Sequence, residues 1–203
     1  MLKRLSIVTA ATVIGASVFM SGCATKVSRV DTSEEIALSD RWNAKDSELV
    51  ANEMITDMMA FPWARDFEMS NNRRPTVIIQ RISNKSSEHI AIDTFVNDIK
   101  RAVIRSGKAG FVAGGEERTE LREERKDQEL NSADAKQQGQ EKAADFALSG
   151  SINSIVDEVG KKRVTFYQVD MKLIDMESNL EVWNGQKKIK KFGMIYESGP
   201  TGT

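Results

Sequence analysis

Apolar and polar positions recur with two different periods along the chain, and each period predicts a different kind of element. Over residues 47–61 and 90–106, apolar residues return every three or four positions, which predicts two amphipathic helices that each bury one face. Asp46 or Ser47 is suited to cap the first of these helices. Residues 76–82 form a short, nearly continuous apolar run instead, which is typical of a central strand.

Three further segments lack an apolar face. Residues 116–130 favour helix by composition, but they place like charges four residues apart and offer only Leu121 and Leu130 for apolar contact. We therefore expect a solvated helix that core packing does not hold, and a binding role for it stays open. Residues 62–75 are predicted to form a polar loop, and residues 133–144 a further helix.

The C-terminal third alternates apolar and polar residues, which predicts a meander of three strands. Its last strand, over residues 181–192, has four lysines towards its far end. Lysines on an edge strand block pairing with another sheet, and a basic contact surface for a partner is the alternative interpretation. The candidate partner-contact residues are Lys187, Lys188, Lys190 and Lys191.

Together, these elements predict an α+β fold. A helix, a strand, a helix, a short strand at Phe111-Val112, one or two helices and then three strands follow one another along the chain. Because a sheet with alternating faces must cover its apolar side, the helices are expected to pack mainly on one face. The predicted architecture is a mixed four- to five-stranded sheet that ends in the C-terminal three-strand meander.

The N-terminus has the features of a bacterial lipoprotein leader. Lys3 and Arg4 precede an uncharged run over residues 5–20, whose helical length of about 24 Å falls short of a bilayer core of about 30 Å. Met20-Ser21-Gly22-Cys23 then resembles a lipobox, which makes Cys23 the predicted site of lipid attachment. Ala24 in place of Asp favours the outer membrane. A secreted protein cleaved near Ala24, with a free thiol, is the alternative.

Composition excludes several classes of function. The 29 basic residues nearly balance the 30 acidic ones, so nothing indicates a nucleic-acid-binding protein. One Cys and one His leave no disulfide framework, no thiolate cluster and no zinc site built on several histidines. No phosphate-binding glycine loop occurs, and Ser149-Gly150-Ser151 lacks the pattern of a nucleophile elbow. We therefore expect no catalytic residue, no metal, and no cofactor apart from the covalent lipid on Cys23.

The sequence divides into four regions. Residues 1–22 are the predicted signal peptide, residues 23–40 the lipidated N-terminus with a short polar tether, residues 41–192 the α+β domain, and residues 193–203 a flexible tail. The tether reaches at most about 60 Å when fully extended. We expect the anchored domain to face the periplasm from the outer membrane.

Four separated stretches carry a family resemblance. They are Trp42-Asn43 with Asp46, Val77-Ile78-Ile79 with Asn84-Lys85-Ser86 and the helix over 92–104, Ala144-Asp145-Phe146-Ala147-Leu148-Ser149-Gly150, and Leu173-Ile174-Asp175 with Leu180-Glu181-Val182-Trp183. In this order, over about residues 40–192 and behind a lipobox, they resemble the LpoB family of outer-membrane lipoproteins. The resemblance implies a non-enzymatic adaptor that activates a bifunctional penicillin-binding protein by contact, and so regulates peptidoglycan synthesis and cell shape.

The tether departs from the family pattern. The best-known members have a long Pro-rich tether, whereas the prolines here are Pro62, Pro75 and Pro200, none of them in the tether. Related folds also occur in periplasmic domains that resemble the TolB N-terminal domain and the curli secretion lipoprotein, so the fold alone does not identify the partner. The alternative hypothesis is therefore a structural or secretion-associated envelope lipoprotein that assembles with itself or with other envelope proteins.

Overall fold

The computed structural model describes residues 40–194, so Cys23, the predicted leader, nearly all of the tether and residues 195–203 lie outside the described part of the chain. Four helices lie within it: α1 (Ala44–Ala60), α2 (Trp63–Asn71), α3 (Ile92–Ser106) and α4 (Gly115–Asn131). Five strands accompany them: β1 (Thr76–Lys85), β2 (Gly110–Phe111), β3 (Phe146–Val159), β4 (Lys162–Asp175) and β5 (Glu181–Met194).

The strands form one mixed sheet in the order β2-β1-β3-β4-β5. β1 runs parallel to β2 on one side and to β3 on the other, with a register shift between Ile79 and Arg81 in its pairing with β3. β3, β4 and β5 are antiparallel neighbours, with Leu148 opposite Leu173 and Leu173 opposite Trp183. The predicted α+β class, mixed sheet and C-terminal meander are confirmed.

The hydrophobic core lies between one face of the sheet and the helices α1 and α3. Phe95 and Ile99 of α3 are fully buried, as are Leu148 of β3 and Tyr167 of β4. Each fully buried side chain of this size contributes about 1.5–3 kcal/mol relative to an exposed one. Three methionines of α1 are buried in the core as well: Met54, Met58 and Met59.

The predicted polar loop over residues 62–75 is wrong, because most of it forms α2. Trp63 anchors this helix, since its ring is buried and its Nε1 donates to the Met58 carbonyl at 2.8 Å. The same ring meets Phe146 edge-on, with the two ring centres 4.9 Å apart. Asn72 then ends the helix in the left-handed conformation, at φ 51°. One buried tryptophan therefore outweighs the polar composition of the segment.

The predicted helix over residues 133–144 is also wrong, and the segment is irregular. Gly139 has a φ of 76°, in the left-handed region that a right-handed helix excludes. Glu141 instead ties the segment to α4, because it accepts hydrogen bonds from Arg122 and Arg125. α4 itself buries none of its side chains, which confirms the expected solvated helix.

Several boundaries differ from the predicted ones: β1 runs on to Lys85, α3 begins at Ile92, and β2 is Gly110–Phe111. α1 begins at Ala44, because Asn43 is its N-cap in place of Asp46 or Ser47. Asn43 Oδ1 accepts from the Asp46 N–H and Asp46 Oδ2 accepts from the Asn43 N–H, which is a capping box. β5 runs to Met194 and so includes two residues that the sequence assigned to the tail.

Candidate interaction surfaces

Asp145, which lies just before β3, holds neighbouring elements together through hydrogen bonds to its carboxylate. Its carboxylate accepts two hydrogen bonds from the Arg73 guanidinium, at 2.8 and 2.6 Å, and one from the Thr76 N–H at 2.8 Å. Burial raises the pKa of Asp145, but the hydrogen bonds from Arg73 and Thr76 together outweigh it and leave that pKa below its usual value. The carboxylate therefore joins the starts of β1 and β3 and is committed to the fold.

Tyr167 closes a second internal network, at the other end of the core. Its hydroxyl donates to Glu88 Oε2 at 2.8 Å, and the Trp42 N–H donates to the same oxygen at 3.2 Å. The rings of Trp42 and Tyr167 meet edge-on, with their centres 5.4 Å apart. Burial and then the bond to Glu88 raise the pKa of Tyr167. This network fixes the approach to α1 against the loop that follows β1.

The strongly perturbed groups thus serve the fold, and the described residues offer no metal centre. Within residues 40–194, no group of three or more His, Cys, Asp or Glu side chains is placed to hold a metal ion. In that same range, no helix has the length and apolar character needed to cross a bilayer.

Two of the four predicted partner-contact lysines are committed to internal ion pairs. Lys191 lies on the helix-covered side of β5, where its ammonium donates to the Asp46 carboxylate of the capping box. Lys187 lies on the same side and pairs with Glu53 of α1 at 2.6 Å. Both lysines fasten β5 to α1, so the four do not form one continuous basic surface.

Lys188 and Lys190 project from the opposite side of β5, onto a sheet face on which neither α1 nor α3 packs. We call this surface the open face. Its side chains alternate along β1, β3, β4 and β5 with those that enter the core. The polar side chains of the open face include Arg81, Ser83, Lys85, Ser149, Ser151, Asn153, Gln168, Asp170, Lys172, Asn184, Gln186, Lys188 and Lys190.

The open face has more cations than carboxylates. Asp170 lies near its centre and accepts hydrogen bonds from the amides of Gln168 and Gln186. Asp157 lies in register with Val164 towards the β3–β4 hairpin, and Glu181 lies beside Lys172 and Asn184. Lys172 approaches Glu181 no closer than 3.9 Å. The remaining cations form no side-chain hydrogen bond or ion pair anywhere in residues 40–194, and they are Arg81, Lys85, Lys188 and Lys190.

A pocket of about 460 Å³ lies on the open face where β1, β3 and β4 run side by side. Hydroxyl groups and cations dominate its lining, with Asp170 and Asn184 at one side. The hydroxyl groups belong to Ser83, Ser149 and Ser151, and the cations to Arg81, Lys85 and Lys172. Such a lining can accept carboxylates and donate to carbonyl or hydroxyl oxygens.

Towards the β3–β4 hairpin the open face becomes apolar. Ile155, Phe166 and Lys190 stand in register across β3, β4 and β5, and Val164 faces Phe192 one step further along. Ile155 is 67 % exposed and Phe192 60 %. The surface therefore combines a polar, cationic part with exposed aromatic and aliphatic side chains.

A larger groove, of about 860 Å³, opens between α1 and β5. Trp183 lies at its base, where the indole covers Gly185 so closely that a Cβ there would clash with the ring. The Trp183 Nε1 donates to Asp57 of α1 at 2.8 Å. Leu49 lines the groove and is 47 % exposed, and among the described strands β5 pairs only with β4. A part-apolar groove beside an unpaired strand edge suits a segment of another protein.

α4 is held at the surface by charge. Lys100 of α3 pairs with Glu117 at 2.9 Å, and Arg122 and Arg125 both pair with Glu141. The hydrogen bonds from Arg122 and then Arg125 lower the pKa of Glu141 to about 2. These exposed pairs position the helix, but they bury no apolar surface with it.

Comparison with known families decides the identity of the domain. The family described as "Peptidoglycan-synthase activator LpoB" matches residues 46–189, which is well over half of the chain. The chain belongs to the LpoB family. That match begins inside α1 and ends inside β5, so it spans the helix-covered core, the open face and the groove. No curated protein matches the chain.

Solved structures that are similar to this chain include members of the LpoB family. The C-terminal domain of LpoB from Escherichia coli is 12 % identical, with a TM-score of 0.41 over 71 % of this chain and 98 % of that one. The NMR structure of E. coli LpoB is 9 % identical, with a TM-score of 0.42 over 94 % of each chain. Lipoprotein GNA1162 from Neisseria meningitidis is 14 % identical, with a TM-score of 0.39 over 62 % of this chain and 88 % of that one.

Sequence reasoning found part of the β5 surface and missed the rest of the open face. Strict alternation puts odd- and even-numbered residues of β5 on opposite sides, and this signal separates Lys188 and Lys190 from Lys187 and Lys191. Arg81 joins the surface only through the pairing of β1 with β3, which no local pattern encodes.

Proposed function

We propose that this LpoB-family chain is a lipid-anchored, periplasm-facing adaptor that activates a bifunctional penicillin-binding protein by direct contact and catalyses no reaction itself. The family match over residues 46–189 carries the proposal, because the family activates peptidoglycan synthases. The lipobox at Met20-Ser21-Gly22-Cys23 supports an anchor on Cys23, and Ala24 supports the outer membrane as its location. The partner is then a synthase that meets the domain in the periplasm.

The groove between α1 and β5 is the contact surface that we assign to the synthase. It has an apolar side chain, Leu49, surrounded by polar groups, and a strand edge that can pair with an incoming segment. Lys187, one of the predicted contact lysines, lines this groove from β5. The remaining two exposed lysines lie on the open face.

Stimulation of a purified synthase tests this assignment. The full-length chain in detergent should raise the initial rate of glycan polymerisation from a lipid-linked precursor. Leu49→Asp should abolish most of that stimulation, since a carboxylate in the centre of an interface loses its hydration. Leu121→Asp on α4 is the matched control, because Leu121 is exposed to the same 47 %. No stimulation by the unaltered chain, or equal loss in both variants, would reject the proposal.

Membrane fractionation with the Cys23→Ala variant tests the anchor. The unaltered chain should sediment with outer membranes and carry acyl chains in its mass spectrum, and the variant should do neither. Because the domain is intact in the variant, it should still stimulate the synthase in solution. A variant that stays with outer membranes would show that Cys23 is not the attachment site.

Assembly with copies of itself or with another envelope protein is the alternative, and the 14-residue edge strand β5 is the observation that favours it. Crosslinking on intact cells followed by purification from membranes separates the two proposals. A penicillin-binding protein in the crosslinked product supports the adaptor. A ladder of homo-oligomers, with no synthase present, supports assembly through the edge.

A further inference from the structure

The open face remains unexplained by contact with a synthase at the groove, because it lies on the other side of the sheet. Arg81, Lys85, Lys172, Lys188 and Lys190 gather there and outnumber the carboxylates of Asp157, Asp170 and Glu181, although the chain as a whole has a net charge of −1. On the core side, by contrast, Lys187 and Lys191 each have an acidic partner. Cations left without partners on one side of a sheet attract anions there.

The chemistry of the open face favours a hydrated polymer over a protein partner. The centre of a protein interface is depleted of charged residues, whereas the centre of this surface is Asp170 with its amide neighbours and flanking cations. A protein partner would have to strip water from several lysines to seal against it, which is costly. Serine hydroxyls and side-chain amides suit the hydroxyl and acetamido groups of sugars.

The dimensions of the open face also favour a polymer as its ligand. From Ser149 to Ile155 the open face follows β3 for six residues, or about 20 Å at the usual rise of a strand. The pocket at one end has the size of a small-ligand site, at about 460 Å³. At the other end, the exposed ring of Phe192, with the half-buried Phe166 beside it, can stack on the C–H faces of sugar rings.

We propose that the open face binds the peptidoglycan strand itself, with its cations on the carboxylates of the peptide stems and its hydroxyl and aromatic side chains on the sugars. The choice of this polymer rests on the proposed function, since an adaptor of a peptidoglycan synthase works beside that polymer. The anion-binding surface rests on the geometry alone. The domain would then hold the synthase and the existing cell wall on opposite sides of one sheet.

Cosedimentation with purified peptidoglycan sacculi tests the proposal. The full-length chain in detergent should pellet with sacculi. A variant carrying Arg81→Ala, Lys188→Ala and Lys190→Ala should bind about tenfold more weakly, because three lost surface ion pairs of ordinary strength amount to about one decade in Kd. The matched control carries Arg105→Ala, Lys126→Ala and Lys142→Ala, three exposed cations elsewhere that form no ion pair within residues 40–194, and it should bind like the unaltered chain.

Two further measurements identify the ligand. Sacculi whose carboxylates have been chemically amidated should bind the chain more weakly. The Cys23→Ala variant, which has no lipid anchor to insert, should bind unmodified sacculi but not phosphatidylglycerol vesicles. The proposal is overturned if the unaltered chain does not pellet with sacculi, if the open-face variant binds as the control does, if amidation changes nothing, or if vesicles bind and sacculi do not. Synthase stimulation, assayed without sacculi, should be unchanged in the open-face variant. Failure of sacculus binding with stimulation intact therefore removes this inference and leaves the adaptor in place.

Discussion

The two faces of the sheet carry the same residue types in opposite states, paired on the core side and exposed on the open face. Lys190 and Lys191 are neighbours in β5. Lys191 donates to the buried carboxylate of Asp46 in α1, whereas Lys190 extends from the open face without a partner in the described chain. On the core side, charges complete a hydrogen-bonded frame around apolar side chains. On the open face, they are left available for an external anion.

This difference shows that a charged residue cannot be assigned a structural or a binding role until its partner is known. Arg73 and Arg81 lie close together in sequence, at the start and in the middle of the β1 region. Arg73 is fixed by two hydrogen bonds to Asp145, whereas the side chain of Arg81 forms no hydrogen bond with any residue from 40 to 194. Composition counts the two side chains alike, and only the sheet register separates a structural arginine from one that is free to bind.

The largest contrast is expected from apolar substitutions on the two faces of β3. Leu148→Ala should lower the free energy of unfolding by about 2–5 kcal/mol, because Leu148 is fully buried and its loss leaves a cavity. Ile155→Ala, on the open face at 67 % exposure, should change it by about 0.5 kcal/mol or less. Urea unfolding measures both. Similar losses in the two variants would mean that something covers the open face.

Asp145→Asn is expected to have the next largest effect, about 1.5–3 kcal/mol, because it weakens hydrogen bonds to a charged group that joins β1 to β3. The folded pKa of Asp145 lies below its unfolded value of about 3.9, so its contribution is complete above that pH and disappears as the pH falls through the folded value. The variant should therefore lose less stability on acidification. Urea unfolding at neutral pH and at about pH 3 checks both signs.

Those core elements were also the ones that the sequence predicted best. The helical stripe with Phe95 and Ile99 and the alternation around Leu148 are local patterns with a physical cause, namely burial on one side. α2 was missed because Trp63 packs on Phe146, which is distant in sequence and unmarked by any periodicity. Propensity is a weak guide wherever one such long-range contact decides the structure.

The candidate surfaces were predictable only in part. The sequence shows a cluster of lysines in β5, but which side of the sheet each one occupies depends on strand alternation. Whether a lysine is paired depends on acidic residues of α1, such as Asp46 and Glu53. Arg81 and Ser149 are brought together by a parallel pairing between strands that α3, β2 and α4 separate along the chain. Non-local pairings of this kind leave no trace in a window of sequence.

Adjacent lysines give the sharpest test of the comparison. Lys191→Ala should cost about 1–3 kcal/mol of unfolding free energy, since it removes the ammonium that pairs with the buried Asp46 carboxylate. Lys190→Ala should stay within about 0.5 kcal/mol of the unaltered chain. Both variants remove one positive charge from the same strand, so net charge cannot explain a difference. Equal effects in urea unfolding would contradict the assignment of the two lysines to opposite faces.

The smallest effect on global stability is expected from Glu141→Gln. This substitution compares α4, which ion pairs hold at the surface, with α1 and α3, which pack on the core. Glu141→Gln removes the carboxylate that Arg122 and Arg125 share, so amide hydrogen exchange should accelerate along α4 while α1 and α3 stay protected. The urea midpoint should not move, because α4 buries no side chain. Glu123→Gln is the control, since Glu123 lies on α4 itself and forms no ion pair within residues 40–194. Because the pKa of Glu141 is about 2, the tie should persist in mild acid and fail only as the pH approaches that value. Protection of α4 that survives the substitution would show that packing, and not charge, holds this helix.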